Sequence, residues 1–103
     1  MKIKFYKYQG TGNDFVILDN RNGEFSQLNT KQIRRLCDRR FGVGGDGLMM
    51  LNNKDGYDFE MMYFNADGQI GSLCGNGGRC ITRFVFNLGM HKYSYKFLAS
   101  DGE

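Results

Sequence analysis

The 103-residue sequence has no proline, no tryptophan and one histidine, His91. It has no apolar run near the ~18–20 residues that a membrane-spanning helix needs. Met1 leads directly into Lys2 and Lys4 rather than into the apolar core of a secretion signal. Cysteine is scarce and odd in number. Cys37, Cys74 and Cys80, without a secretory signal, argue against a disulfide framework and predict a reducing, cytoplasmic setting. Charge of one sign is not in large excess either. The 14 basic and 11 acidic residues leave +3, too little to imply nucleic acid or an anionic membrane as partner.

Glycine is what the chain has in quantity. Its 15 glycines are about twice the usual share, with no collagen period, so the excess belongs to specific tight backbone sites. A hydrophobic content of 41% is that of a globular protein and excludes disorder. The length suits one domain, residues 1–103, which can bury roughly two-thirds of its unfolded surface without staples. No repeat, low-complexity tract or linker divides it.

Residues 2–8 alternate Ile3 and Phe5 against Lys2 and Lys4, the period of a half-buried strand. QGTGN (9–13) reads as a loop and DFVILD (14–19) as a second strand. A helix follows, with Asn29 as N-cap and Gln32 completing a capping box. Ile33, Leu36 and Cys37 form its buried stripe, and Gly42 stops it. Lys31, Arg34, Arg35, Arg39 and Arg40 read as a solvated face, because no aromatic platform interleaves them for RNA. GLMMLN (47–52) and YDFEMMYF (57–64) flank an Asn-Lys-Asp-Gly turn, a hairpin signal. A short strand at 69–72 follows the turn NADG (65–68). A second helix from about Asn76 to Leu88 buries Cys80, Ile81, Phe84, Val85 and Leu88 and ends at Gly89. YSYKFLA (93–99) reads as a last strand, and residues 100–103 as a turn with no return strand, the mark of a fragment.

LCGNGGRC (73–80) carries the chemistry. Its glycines clear side chains from the first turn of a helix, where free N–H groups and the positive end of the helix dipole form an anion site. Cys74 at that point has its pKa lowered toward thiolate, and the neighbouring N–H groups can hold a carboxylate. The alternatives for Cys74 are a buried structural cysteine, a zinc pair with Cys80, or part of a phosphate loop. The zinc pair lacks CxxC spacing and further histidines, and GxxxxGK[ST] is absent. FGVGGDG (41–47) precedes a strand rather than a helix, which is poor evidence for a dinucleotide site. Cys37, on an apolar stripe, reads as inert packing.

QGTGNDF (9–15), RRLCDRRFGVGGDG (34–47), FNADG (64–68) and CGNGGRC (74–80) occur in one order and spacing. Together they resemble the N-terminal half of the diaminopimelate epimerase family over nearly the whole chain. CGNG distinguishes it from the related proline racemases, whose motif typically reads CGHG, and phenazine-biosynthesis relatives share the fold without the catalytic thiols. The resemblance implies conversion of LL- to meso-diaminopimelate, for lysine and peptidoglycan precursors, with no cofactor: neither pyridoxal phosphate nor metal. By the same resemblance Cys74 is one of two thiols acting on opposite faces of the substrate Cα. Gly75 and Asn76 hold the α-carboxylate through backbone N–H groups, and Asn13 and Asn65 bind substrate. Turn stabilisation is the other reading of both asparagines. Some members carry Gln at position 47, where it contacts substrate; Gly47 excludes that contact here.

The expected fold is mixed α/β (α+β): one lobe of the two-lobed epimerase fold, a curved, mostly antiparallel sheet around the helix at 76–88. The other lobe of such an enzyme supplies the second thiol. Cys80 cannot replace it, since six residues along a helix bring ~9 Å of rise and about 240° of rotation. The chain alone is therefore expected to be inactive. A non-catalytic lobe that binds carboxylates or serves assembly is the alternative. The expected partner is a small amino-acid substrate, with no nucleic acid and no membrane. An open sheet edge invites pairing with another copy into a homo-oligomer.

Overall fold

The segments DFVIL and GLMML lack the polar alternation of a half-solvated strand because both are covered on two sides. The computed structural model describes residues 5–10, 12–71, 75–89 and 97–99. Its sheet has the order β1-β2-β3-β4-β5, formed by Tyr6–Gly10, Asn13–Asp19, Gly47–Asn52, Phe59–Asn65 and Phe97–Ala99. On one face, Cys80, Ile81, Phe84 and Val85 of helix α2 (Gly75–Asn87) pack among Phe15, Ile17, Met49, Leu51, Phe59 and Met61. On the other, Ile33 and Cys37 of helix α1 (Thr30–Cys37) pack with Phe25, Val16, Leu18, Leu48 and Met50. Each large aliphatic side chain buried this way contributes about 1.5–3 kcal/mol.

β1 and β2 form an antiparallel hairpin, with Gly10 opposite Asn13. Residues 9, 10 and 13 of the expected loop are therefore strand, and the turn is shorter than its glycines suggest. β2 and β3 run parallel because the chain between them crosses the sheet through α1. β3 and β4 are the expected antiparallel hairpin, whereas β4 and β5, separated by α2, are parallel. The α+β class stands, and the sheet alternates the two kinds of pairing, so parallel neighbours take a larger part than local alternation suggests.

The first helix starts as its sequence requires. The Asn29 side chain accepts from the Gln32 N–H at 2.8 Å, and the Gln32 side chain accepts from the Asn29 N–H at 2.9 Å. α1 ends at Cys37, ahead of Gly42, with Asp38 as an extended cap. Its last carbonyls are taken by the returning glycine loop: Gly44 N–H donates to Leu36 at 2.9 Å and Gly45 N–H to Cys37 at 3.1 Å. That is the work of FGVGGDG, with Gly44 in the left-handed region at φ +85°. α2 carries the expected stripe, Leu88 is half-buried, and Gly89 ends the run at φ +107°. Among the described residues, the strand expected at 69–72 reduces to one bridge between Phe64 and Ile70. Residues 2–4, Cys74, residues 93–96 and the turn at 100–103 lie outside the described residues.

Asn20 is the buried polar residue of the α1-side loop. Its amide donates to Ser26 Oγ at 3.0 Å and Asn52 Oδ1 at 2.7 Å, and its carbonyl accepts from Phe25 N–H at 2.6 Å. These bonds satisfy a side chain that would otherwise destabilise the core.

Candidate functional site

The register brings Asn13 and Asn65, two of the sequence-derived candidates, to one end of the sheet. Gly47 is paired with Phe15 of β2 on one side and with Asn65 of β4 on the other. Side chains alternate along each strand, and Phe15, Met49 and Tyr63 belong to the cluster under α2. Asn13, Gly47 and Asn65 therefore share that face. Neighbouring strands stand ~4.8 Å apart, so asparagines two strands apart are on the order of 10 Å from each other, within the span of one small ligand.

Asn13 is held by a charged cluster. Its side-chain N–H donates to Asp46 Oδ2 at 3.4 Å, and the Asp14 N–H donates to the same oxygen at 2.9 Å. Arg39 binds both oxygens of Asp14, at 2.8 and 3.0 Å, and reaches Asp46 Oδ1 at 3.1 Å. Lys7 adds a 2.9 Å bond to Asp14 and a 2.5 Å bond to the Gly44 carbonyl. Hydrogen bonds from Arg39, then Lys7, hold the Asp14 carboxyl well below the usual carboxylate range. The same pairing raises Arg39 above its ordinary value. The cluster ties the start of β2 to the lead-in of β3. Sequence reasoning missed it, although Asp14 and Asp46 each adjoin a site position and an arginine run lies between them.

Asn65 closes its turn through the backbone: its N–H donates to Gln69 at 2.8 Å and its carbonyl accepts from Gly68 at 2.9 Å. Its side-chain amide lies beside Gly71, where a Cβ would stand 2.7 Å from both Nδ2 and Oδ1. Asp67 supports the turn by accepting from the Gln69 N–H at 2.9 Å.

Gly75 and Asn76 open α2, the helix that packs on the same sheet face as the asparagines. Their N–H groups are among the first four of the helix, which have no intrahelical carbonyl to bond. The other two thiols lie in the two apolar layers. Cys37 and Cys80 are 3% and 4% exposed, and burial pushes Cys37 up to about 11. Among the described residues there is no cluster of three or more His, Cys, Asp or Glu that could hold a metal, and no helix is long and apolar enough to cross a membrane. A groove of about 280 Å³ on α1, lined by Lys31, Arg34, Arg35, Asp38 and Phe41, brings no thiol to its wall.

The chain is 52% identical over 100 residues to a diaminopimelate epimerase of Flavobacterium psychrophilum, covering 97% of the chain and 39% of that relative. It is 47% identical over 90 residues to a diaminopimelate epimerase of Synechococcus sp. strain JA-3-3Ab, covering 86% of the chain and 32% of that relative. The chain thus spans under two-fifths of the length of these relatives. A crystal structure of a PhzF-family phenazine biosynthesis protein from Bacillus anthracis superposes with a TM-score of 0.67 at 22% identity, covering 94% of this chain and 33% of that one, a likeness of fold. The family model described as Diaminopimelate epimerase matches residues 5–103, and the chain belongs to that family.

Proposed function

We propose that this chain is the N-terminal lobe of a longer, cofactor-independent epimerase that interconverts LL- and meso-diaminopimelate. The observation that carries this reading is the meeting of Asn13 and Asn65 at one sheet end, on the face packed by the helix that Gly75 and Asn76 open. In this reading the N–H groups of Gly75 and Asn76 hold the α-carboxylate of the reacting centre, and the two asparagine amides orient the amino acid. The helix dipole favours the anion there.

Cys74 immediately precedes α2 in the chain and is the thiol assigned to chemistry. One thiolate removes the Cα proton while a thiol on the opposite face delivers another, so the C–H bond broken on one side is replaced by one formed on the other. One sulfur ends protonated and the other deprotonated. Holding the carboxylate against N–H donors stabilises the negative charge that develops as the proton leaves. Burial of Cys37 and Cys80 supports a second thiol supplied from outside residues 1–103. The 103-residue chain by itself is then inactive, binding a carboxylate without turning it over. An enzyme of this kind works on a cytoplasmic metabolite, and the sheet edges at β1 and β5 offer a route to self-association.

Conversion of LL- to meso-diaminopimelate by the intact protein, followed by chiral chromatography, tests the reading. Cys74→Ala is expected to abolish turnover while leaving the circular dichroism spectrum unchanged. Full activity in that variant overturns the assignment.

A further inference from the structure

Tyr63 does not stand straight up from β4. A Cβ on Gly47 would be 2.6 Å from Tyr63 Cε1 and 2.7 Å from Cζ, and nearer still to the hydroxyl oxygen. The phenol end of the ring therefore lies on the Gly47 backbone, although Tyr63 is itself paired with Met49. The ring leans from β4 onto β3, toward the sheet end where Gly47 meets Asn65, and stacks edge-on against Phe15 of β2 with centroids 6.2 Å apart. Only glycine at position 47 leaves room for this. The hydroxyl is thereby carried one same-face step, ~6.8 Å, along the sheet toward the level of Asn65. It arrives between the strands that bear Asn13 and Asn65.

We infer that Tyr63 is a substrate-positioning residue, its phenol hydroxyl carried over Gly47 into the wall between Asn13 and Asn65, where it hydrogen-bonds a polar group of the bound amino acid. This rests on the function proposed above. Tyr63 is buried in the cluster under α2, and tyrosine suits the task because its ring fills an apolar wall while its hydroxyl can donate or accept. The lean is enforced by packing against Phe15, so the hydroxyl is positioned before ligand arrives and little rotamer freedom is lost on binding.

The test uses the intact enzyme and LL-diaminopimelate. Tyr63→Phe keeps the ring and removes the hydroxyl. It is expected to raise KM about tenfold, the loss of one hydrogen bond to ligand, with a smaller change in kcat. The thermal midpoint reports any structural cost separately. Should the substitution impair folding, ring-labelled tyrosine in the unsubstituted protein carries the test: ligand at saturation shifts the Tyr63 ring-carbon resonance, and no shift overturns the inference. Unchanged KM and kcat in a well-folded Tyr63→Phe variant overturn it while leaving the epimerase reading intact. An unsubstituted enzyme that neither binds nor converts diaminopimelate overturns both.

Discussion

Arg39 grips Asp14 with its two terminal guanidinium nitrogens, at 2.8 and 3.0 Å, across the gap between the α1 loop and the start of β2. The Asp14 side chain is only 14% exposed and takes a further 2.9 Å bond from Lys7, whereas Arg39 is itself well exposed. Two parallel N–H···O bonds fix orientation as well as energy. Through Asp46, which accepts from Asn13 and from the Asp14 N–H, that fixed geometry extends to the candidate ligand amide.

Asp14→Asn should cost about 1–2 kcal/mol at neutral pH, because it leaves Arg39 and Lys7 facing a neutral amide. The folded-state pKa of Asp14 lies below its unfolded value, so the contribution is fully present above the ordinary aspartate range near ~3.9 and fades as the pH falls below it. Urea melts of the two proteins at pH 7 should therefore differ, and the difference should shrink toward zero in acid. A gap that persists unchanged at low pH assigns the cost to packing instead.

Gly47→Ala should destabilise the fold by about 1–3 kcal/mol, the usual cost of forcing a methyl into an occupied core site. Here the occupant is Tyr63, with ring atoms 2.6 and 2.7 Å from where the Cβ would be. Trimming the ring should remove the clash, so Gly47→Ala combined with Tyr63→Val is expected to cost less than the sum of the two single changes. Denaturation midpoints of all four proteins measure this coupling. Strict additivity contradicts the overlap.

What could be read from the sequence was local. The Asn29–Gln32 capping box, the Ile33–Cys37 stripe and the Cys80–Val85 stripe need only helical spacing, and all three stand where that spacing puts them. Asn13 and Asn65 were legible through the motifs around them, and their meeting at one sheet end follows from the register. The Lys7–Asp14–Arg39–Asp46 cluster was not legible, because its members come from three separate segments brought together by the β1–β2 hairpin and the parallel β2–β3 pairing. Tyr63 was read only as a strand residue. Nothing in YDFEMMYF says that its ring leans past its ladder partner Met49 onto Gly47.

The three thiols should differ in reactivity. Cys37 and Cys80 are enclosed in the two apolar layers, and burial raises the Cys37 pKa. Cys74 precedes a helix that opens with Gly-Asn-Gly-Gly, a setting that favours thiolate. Iodoacetamide near neutral pH, read by peptide mass spectrometry, should label Cys74 first. Equal labelling of Cys37 or Cys80 in the folded protein removes the physical support for Cys74 as the reacting thiol.

The central claim is that Cys74 works as one of two thiols on opposite faces of a substrate carbon. Early turnover of LL-diaminopimelate in D2O by the intact enzyme tests it most directly. Deuterium is expected at Cα of the meso product and almost none in recovered LL substrate, because the proton removed on one face and the deuteron delivered on the other sit on different sulfurs. Cys74→Ala should stop epimerisation altogether. Deuterium entering recovered substrate as fast as product, or epimerisation undiminished without the Cys74 thiol, would rule out a two-thiol reaction through Cys74.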